Sequence, residues 1–292
     1  MSTYRFKQVD AFTSRPLFGN PVAVVLGADG LGSEEMQRIA AWTNLSETAF
    51  VQTPTTPEGD YRLRIFTPSE ELPFAGHPTI GSAHAVIEAG VVGSSRQFVQ
   101  ECGAGPLTLR VEGDGASRVI WARAPEPRII QDFSPSVDTI SEALGTKVSE
   151  YPPPLAMENG PVFLLVHVPD STVLSRLQPD MGAVTRLSRE FSVTGICAFT
   201  LVPGDGPRVH MRWFAPATGV PEDPITGSAN ATVPAYLARF GLLEQTGREY
   251  VAMQGMELGR DGRVHVRVLN DTGMKVEFGG QAVTVIDGEI RL

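Results

Sequence analysis

His77-Pro78-Thr79-Ile80-Gly81-Ser82-Ala83-His84-Ala85 and Asp223-Pro224-Ile225-Thr226-Gly227-Ser228-Ala229-Asn230-Ala231 are two versions of one phrase. Pro, Gly, Ser, Ala and the final Ala coincide at an offset of 146, half of the 292-residue length. Just upstream, Arg64-Ile65-Phe66-Thr67-Pro68 resembles Arg212-Trp213-Phe214-Ala215-Pro216 at an offset of 148, so the first copy carries a loop longer by two residues. Self-similarity at a fixed spacing is the mark of a duplicated unit. In each copy the reading is an aromatic strand ending at a Pro, a loop, and a Gly-Ser-Ala stretch that opens a helix, over 83–89 and 229–239. On this register His77 and Asp223 occupy equivalent places. A helix N-terminus presents unpaired N–H groups and partial positive charge, which suit a carboxylate or an oxyanion. If the halves face each other across a pseudo-twofold axis, both helix starts converge on one cleft. The plainer alternative is that the repeats only cap helices.

Around this repeat, the chain is 42% apolar with a formal charge of −9 and a pI near 5.1. Its length exceeds one typical domain and its apolar content suffices for real cores. The acidic balance excludes nucleic acid as a partner, because phosphate binding needs gathered Lys and Arg. A small-molecule ligand is favoured by elimination. No apolar run reaches the roughly 18 residues of a membrane span, and the first residues lack a signal-peptide core, so a soluble cytoplasmic protein without a membrane partner is expected. Cys102 and Cys197 stand far apart without a C-x-x-C partner. They read as reduced, buried thiols, with neither a disulfide framework nor a metal site signalled.

Strand patterns dominate. Residues 5–12 alternate, Phe18-Gly19-Asn20-Pro21 punctuates, and Val22-Ala23-Val24-Val25-Leu26 is continuously apolar. A helix follows, with Ser33 as its cap, Glu34 and Glu35 at its positive end, and Met36, Ile39 and Ala40 at helical spacing. Strict alternation marks residues 107–111 and 263–268 as strands. The segment 282–290 reads as a hairpin turning at Asp287-Gly288. The fold class is α+β.

Glu47 sits in Asn44-Leu45-Ser46-Glu47-Thr48-Ala49-Phe50, where a helix gives way to a strand. On its own it could be an ordinary exposed strand carboxylate. Facing a cleft, it would lose water, and its pKa would rise toward the range of a general base or acid. His77 and Asp223 supply second groups that hold a substrate amine or hydroxyl or stabilise charge, although a lone His before Pro is as readily structural. His84, His167, His210 and His265 fall in helix or strand patterns and take no role. There is no Walker A motif, Rossmann glycine pattern or G-x-S-x-G elbow, so Ser82 and Ser228 read as anion-binding or capping residues rather than nucleophiles. What remains is acid–base chemistry without a cofactor or a metal.

Together with these residues, Val9-Asp10-Ala11-Phe12-Thr13, Gly19-Asn20-Pro21, Phe66-Thr67-Pro68, Gly76-His77-Pro78-Thr79, Glu222-Asp223-Pro224, Gln254-Gly255 and Phe278-Gly279-Gly280 make a set that runs nearly end to end. In this set the chain resembles the phenazine-biosynthesis PhzF family, within the diaminopimelate epimerase-like superfamily. The resemblance implies two similar domains, 1–117 plus about 279–292 and 118–278. Each is a mixed, mostly antiparallel β-sheet wrapped around a central α-helix, with the site in the cleft between them and a homodimer as the assembly. It implies an isomerase acting on a small unsaturated or cyclic carboxylic acid of the trans-2,3-dihydro-3-hydroxyanthranilate type. Glu47 is then the acid–base residue, with His77 and Asp223 at the substrate, and Ser46, Gly76, Gly227, Ser228 and Asn20 in contact with it. The superfamily's racemases and epimerases place a cysteine at each helix start; here those places carry none, which disfavours that chemistry. The other alternative is a binding module that keeps the fold without turnover.

Overall fold

The alternating run near the start becomes the strand Thr3–Ala11, paired antiparallel with Asn20–Leu26 from Arg5 opposite Leu26 to Ala11 opposite Asn20. The computed structural model describes residues 2–269 and 274–292. The chain separates into two compact units, Met1–Arg123 with Gly279–Leu292, and Ala124–Phe278.

In the first unit, Asn20–Leu26 continues parallel to Thr48–Gln52, which is antiparallel to Tyr61–Phe66, which is parallel to Gln97–Cys102, which is antiparallel to Gly105–Glu112. The second unit repeats this succession. Leu155–Glu158 lies antiparallel to Val162–His167, then Gly195–Leu201 follows parallel, Val209–Ala215 antiparallel, Glu249–Gln254 parallel and Gly262–Leu269 antiparallel. Parallel neighbours need a crossover, and in both units a helix supplies it.

The first unit has helices α1 (Ser33–Thr43) and α2 (Gly76–Glu88). Every residue of α2 from Gly76 through Val86 is buried, and the helix touches five strands of its own unit. A helix without a polar face must be enclosed, and α2 is the centre that the sheet wraps. Small residues make the enclosure close: a Cβ on Gly81 would lie 2.4 Å from Val22 Cγ1. On the other face of the sheet, α1 presents Met36, Ile39 and Ala40 to Val25, Phe50 and Phe66. The second unit has α3 (Val137–Leu144), α4 (Ser171–Ser175), α5 (Met181–Glu190), α6 (Gly227–Arg239) and α7 (Leu243–Thr246). Here α6 is the enclosed helix, while α3 and α5 bury Ile140, Leu144, Val184 and Leu187 with Leu164, Val166 and Phe214.

Four expectations change. The helix of the first repeat starts at Gly76, not after Ser82, so α2 and α6 each run 13 residues from a glycine at an offset of 151 rather than 146. Ser82 is therefore mid-helix and fully buried, with no capping or anion-binding place, and the structural counterpart of His77 is Ser228 rather than Asp223. The matching Gly-Ser-Ala stretches answer to two different demands, close packing on Val22 in one unit and a helix start in the other. Second, Gly32 rather than Ser33 caps α1: Glu35 Oε2 accepts the Gly32 N–H at 3.0 Å, and Ser33 Oγ instead accepts from Arg64 Nη2 at 3.0 Å. Third, Ala282–Arg291 is one strand passing straight through Asp287-Gly288, because it pairs along Thr3–Ala11 instead of with itself. Asp287 Oδ2 then accepts from buried Lys7 Nζ at 2.8 Å, and Glu88 Oε2 accepts from the same ammonium at 2.9 Å. Fourth, Cys197 is buried as read, but Cys102 is half-buried. Among the described residues no helix is long and apolar enough to cross a membrane.

Gly81→Ala should push α2 off the sheet and cost about 1–3 kcal/mol of stability, read from denaturant midpoints. Combining it with Val22→Ala should recover part of that loss, because the clash is with one methyl group; strict additivity of the two losses would refute the contact as the cause.

Candidate active site

Glu47 owes its place to a tight reversal. Helix α1 stops because Asn44 takes the left-handed conformation (φ 54°) while its N–H stays bound to Ala40 O, a conformation that Asn tolerates. The Thr43 and Thr48 hydroxyls, 2.8 Å apart, staple helix end to strand start. Leu45, Ser46 and Glu47 are thus held immediately before Thr48–Gln52. The Glu47 side chain keeps 16% exposure, and its Oε2 is covered. Loss of hydration raises its carboxyl from 4.5 to about 7, against the opposing pull of a hydrogen bond with Ser46.

Across from it stands His77, the second residue of α2 and buried, with Nε2 3.3 Å from Glu47 Oε2. The other ring nitrogen, Nδ1, is 3.3 Å from Asn20 Nδ2. Asn20 is itself fixed by a crowded corner. Asp10 Oδ2 accepts the N–H groups of Leu17 (2.6 Å) and Gly19 (3.4 Å), while a Cβ on Gly19 would lie 2.6 Å from Ala11 O. Leu17 and Phe12 hold positive φ angles of 73° and 63° in the same loop, strain that such anchoring sustains. Ser46, Glu47, His77, Gly76 and Asn20, expected at one site, are therefore gathered in the first unit. Asn20 meets the imidazole, a contact that its place in the Gly19-Asn20-Pro21 motif did not reveal.

The second unit gathers Asp223, Gly227 and Ser228, all buried, at the start of α6. Gln254, 1% exposed, organises them. Its Oε1 accepts from Thr226 N–H (3.0 Å) and Asn230 Nδ2 (2.9 Å), and its Nε2 donates to Asp223 O and Thr226 Oγ1, both at 3.1 Å. Because the Thr226 oxygen accepts from Gln254, its own proton goes to Asp223 Oδ2. In the sequence Gln254 is visible only as part of the Gln254-Gly255 motif. Its signal was a polar residue ending an alternating strand just before Gly255, which adopts φ 94° with a Cβ position 2.6 Å from Pro224 O. The two thiols lie in the strands Gln97–Cys102 and Gly195–Leu201, neither of them on the first turn of α2 or α6; Cys197 is near enough to Asp223 that the carboxylate adds to the burial that raises its thiol. A hollow of about 420 Å³ between Trp42 and Ile290 is lined by none of these site residues.

The family model described as phenazine biosynthesis-like protein (PhzC-PhzF) matches residues 9–288. This chain belongs to that family. Among curated PhzF-family relatives, the chain is 38% identical over 286 residues to a trans-2,3-dihydro-3-hydroxyanthranilate isomerase of Pseudomonas chlororaphis, covering 97% of this chain and 98% of the relative. It is also 38% identical over 296 residues to antisense-enhancing sequence 1 of Schizosaccharomyces pombe, covering 99% of each. A solved PhzF-family structure from Bacillus anthracis superposes with a TM-score of 0.90 at 30% identity over 100% of both chains.

Two stability measurements test the local physics. The unfolded chain releases the Glu47 proton near 4.5 and the folded chain holds it to about 7, so the stability that the neutral carboxyl contributes is complete below 4.5 and is lost as pH rises through 7. Glu47→Gln, which cannot ionise, should exceed wild type by on the order of 2–3 kcal/mol near pH 8 and match it near pH 4. Equal denaturant midpoints at the higher pH would show that the carboxyl is not desolvated. Gln254→Ala should cost about 2–4 kcal/mol by stranding buried donors of Thr226 and Asn230; a loss under about 0.5 kcal/mol would mean that water replaces the amide.

Proposed function

We propose that this chain is an isomerase that moves a proton between carbons of a small unsaturated or cyclic carboxylic acid, with Glu47 as the proton carrier and no cofactor. The observation that carries the reading is the Glu47 carboxyl, raised to about 7 by desolvation and facing the His77 imidazole. A general base works best when its pKa lies near the working pH, because it is then both ionised and able to hold what it removes. The name of the Pseudomonas chlororaphis relative supports the reaction class, and its substrate type is carried to this chain as part of the proposal.

In this mechanism the Glu47 carboxylate removes a C–H proton acidified by conjugation. The C–H electron pair enters the conjugated system, a double bond shifts, and the neutral Glu47 returns the proton to another carbon. One proton leaves and one arrives, so neither oxidant nor reductant is needed. We assign the start of α6 at Gly227 and Ser228 to the substrate carboxylate, for which unpaired helix N–H groups are suited. Asp223 and His77 take a substrate amine or hydroxyl and offset developing charge. Ser46, Gly76 and Asn20 complete the contacts.

Incubating the protein with trans-2,3-dihydro-3-hydroxyanthranilate and a panel of unsaturated carboxylic acids in D₂O, followed by NMR, tests this. Isomerised product or deuterium at carbon is expected with wild type, and a loss of at least roughly 10³-fold with Glu47→Gln. For the abstraction step, kcat/KM should rise about tenfold per pH unit below 7 and level off above it, since the ionised form is the base. Turnover that survives Glu47→Gln would remove Glu47 from the chemistry. Ligand binding without turnover would favour a silent binding module.

A further inference from the structure

We infer that Asn20 sets the tautomer of His77, so that the imidazole presents an Nε2–H to the Glu47 carboxylate. Asn20 and His77 are 1% and 6% exposed. An amide nitrogen carries only donor hydrogens, so Asn20 Nδ2 at 3.3 Å makes His77 Nδ1 the acceptor. In a neutral ring the single proton is then on Nε2, which is the atom 3.3 Å from Glu47 Oε2. The opposite arrangement, with the Asn20 carbonyl toward the ring, places the proton on Nδ1 and sets an imidazole lone pair against a carboxylate oxygen. Only the first arrangement points an imidazole N–H, rather than a lone pair, at the ionised Glu47, beside the hydrogen bond it has with Ser46.

Asn20 is held for this work by its surroundings. It pairs with Ala11 at the first position of its strand, and the Asp10 carboxylate fixes the preceding loop through Leu17 and Gly19. The alternating contact, amide to Nδ1 and Nε2 to carboxylate, follows the general rule that the hydrogen bond at one ring nitrogen decides the state of the other. For the reaction, the consequence concerns where a removed proton can go. With Nε2 already protonated, His77 has no lone pair for Glu47 to protonate. The proton that Glu47 takes from the substrate therefore stays on Glu47 until it is returned. Asn20 is thus a positioning residue, acting through His77 on Glu47. The catalytic part of this inference rests on the proposed role of Glu47, whereas the tautomer itself does not.

The test reads the tautomer without substrate. Long-range ¹H–¹⁵N NMR of the full chain, with the His77 signals assigned among the five histidines by their loss in His77→Gln, should show wild type unprotonated at Nδ1 and protonated at Nε2. In Asn20→Asp the introduced carboxylate should draw a proton onto Nδ1, and kcat should fall by roughly 10²-fold with a smaller change in KM. Asn20→Ala provides a second variant that removes the lock without adding charge, and its two nitrogen signals should move toward averaged positions. A wild-type Nδ1 that is protonated, or a pattern that neither variant changes, overturns the inference. A shifted tautomer with unaltered kcat overturns its catalytic part. The expected tautomer in an enzyme that turns over no substrate would instead count against the isomerase reading.

Discussion

Enclosure of α2 is the constraint on which the first unit depends. A helix buried from Gly76 through Val86 has to give up every side chain that would hold the sheet away, and Gly81 against Val22 marks the point of closest approach. That fit places the start of the helix in the protein interior, with His77 on its first turn. Because α2 is fixed along its length, the imidazole inherits a defined position, and Asn20 and Glu47 meet it from a strand start and a helix-to-strand reversal. None of the three sits on a long loop. Each is anchored within a few residues of a regular element, which is the condition for holding catalytic groups to fractions of an ångström.

The electrostatics follow from that enclosure. Glu47 has one covered oxygen, and the cost of ionising a carboxylate without its water pushes its pKa to about 7, while the Ser46 hydrogen bond only tempers the rise. Glu101 shows what the same type of group does when donors are plentiful: hydrogen bonds from the hydroxyls and N–H groups of Thr55 and Thr56 lower its carboxyl to about 2. The fold can hold a carboxylate charged where it needs a fastening, as at Glu101, and has left Glu47 with few donors.

Much of the architecture was legible because it rests on period and repetition. Alternation gave Gly262–Leu269, continuous apolar residues gave Asn20–Leu26, and the Arg-aromatic-Pro segments marked equivalent strands in two units. Register within the repeat was not legible. Gly-Ser-Ala recurs at 81–83 and 227–229, but small residues serve close packing as well as helix starts, and sequence alone does not separate these uses. The Asp287-Gly288 turn failed for a related reason: local turn chemistry was outweighed by pairing with a strand some 280 residues away in sequence, visible in the Lys7–Asp287 contact. The repeat singled out His77 and Asp223, whereas Glu47 took its role only from the family resemblance. Gln254 and Asp10 act by hydrogen bonds to backbone groups brought together by the fold, and their places in motifs do not reveal those partners.

The corrected register changes what the duplication means chemically. At the second position of the enclosed helix, one unit has His77 and the other Ser228, and each is surrounded by a different set of partners. Around His77 are an amide and a poorly solvated carboxyl. At the start of α6, Gln254 takes up Thr226 N–H and directs the Thr226 hydroxyl to Asp223, so the donors of the next residues, Gly227 and Ser228, are not consumed by that clamp. A two-base racemase would need matched acid–base groups at equivalent places. The units instead differ at this helix position, His77 in one and Ser228 in the other, and so offer no such matched pair there.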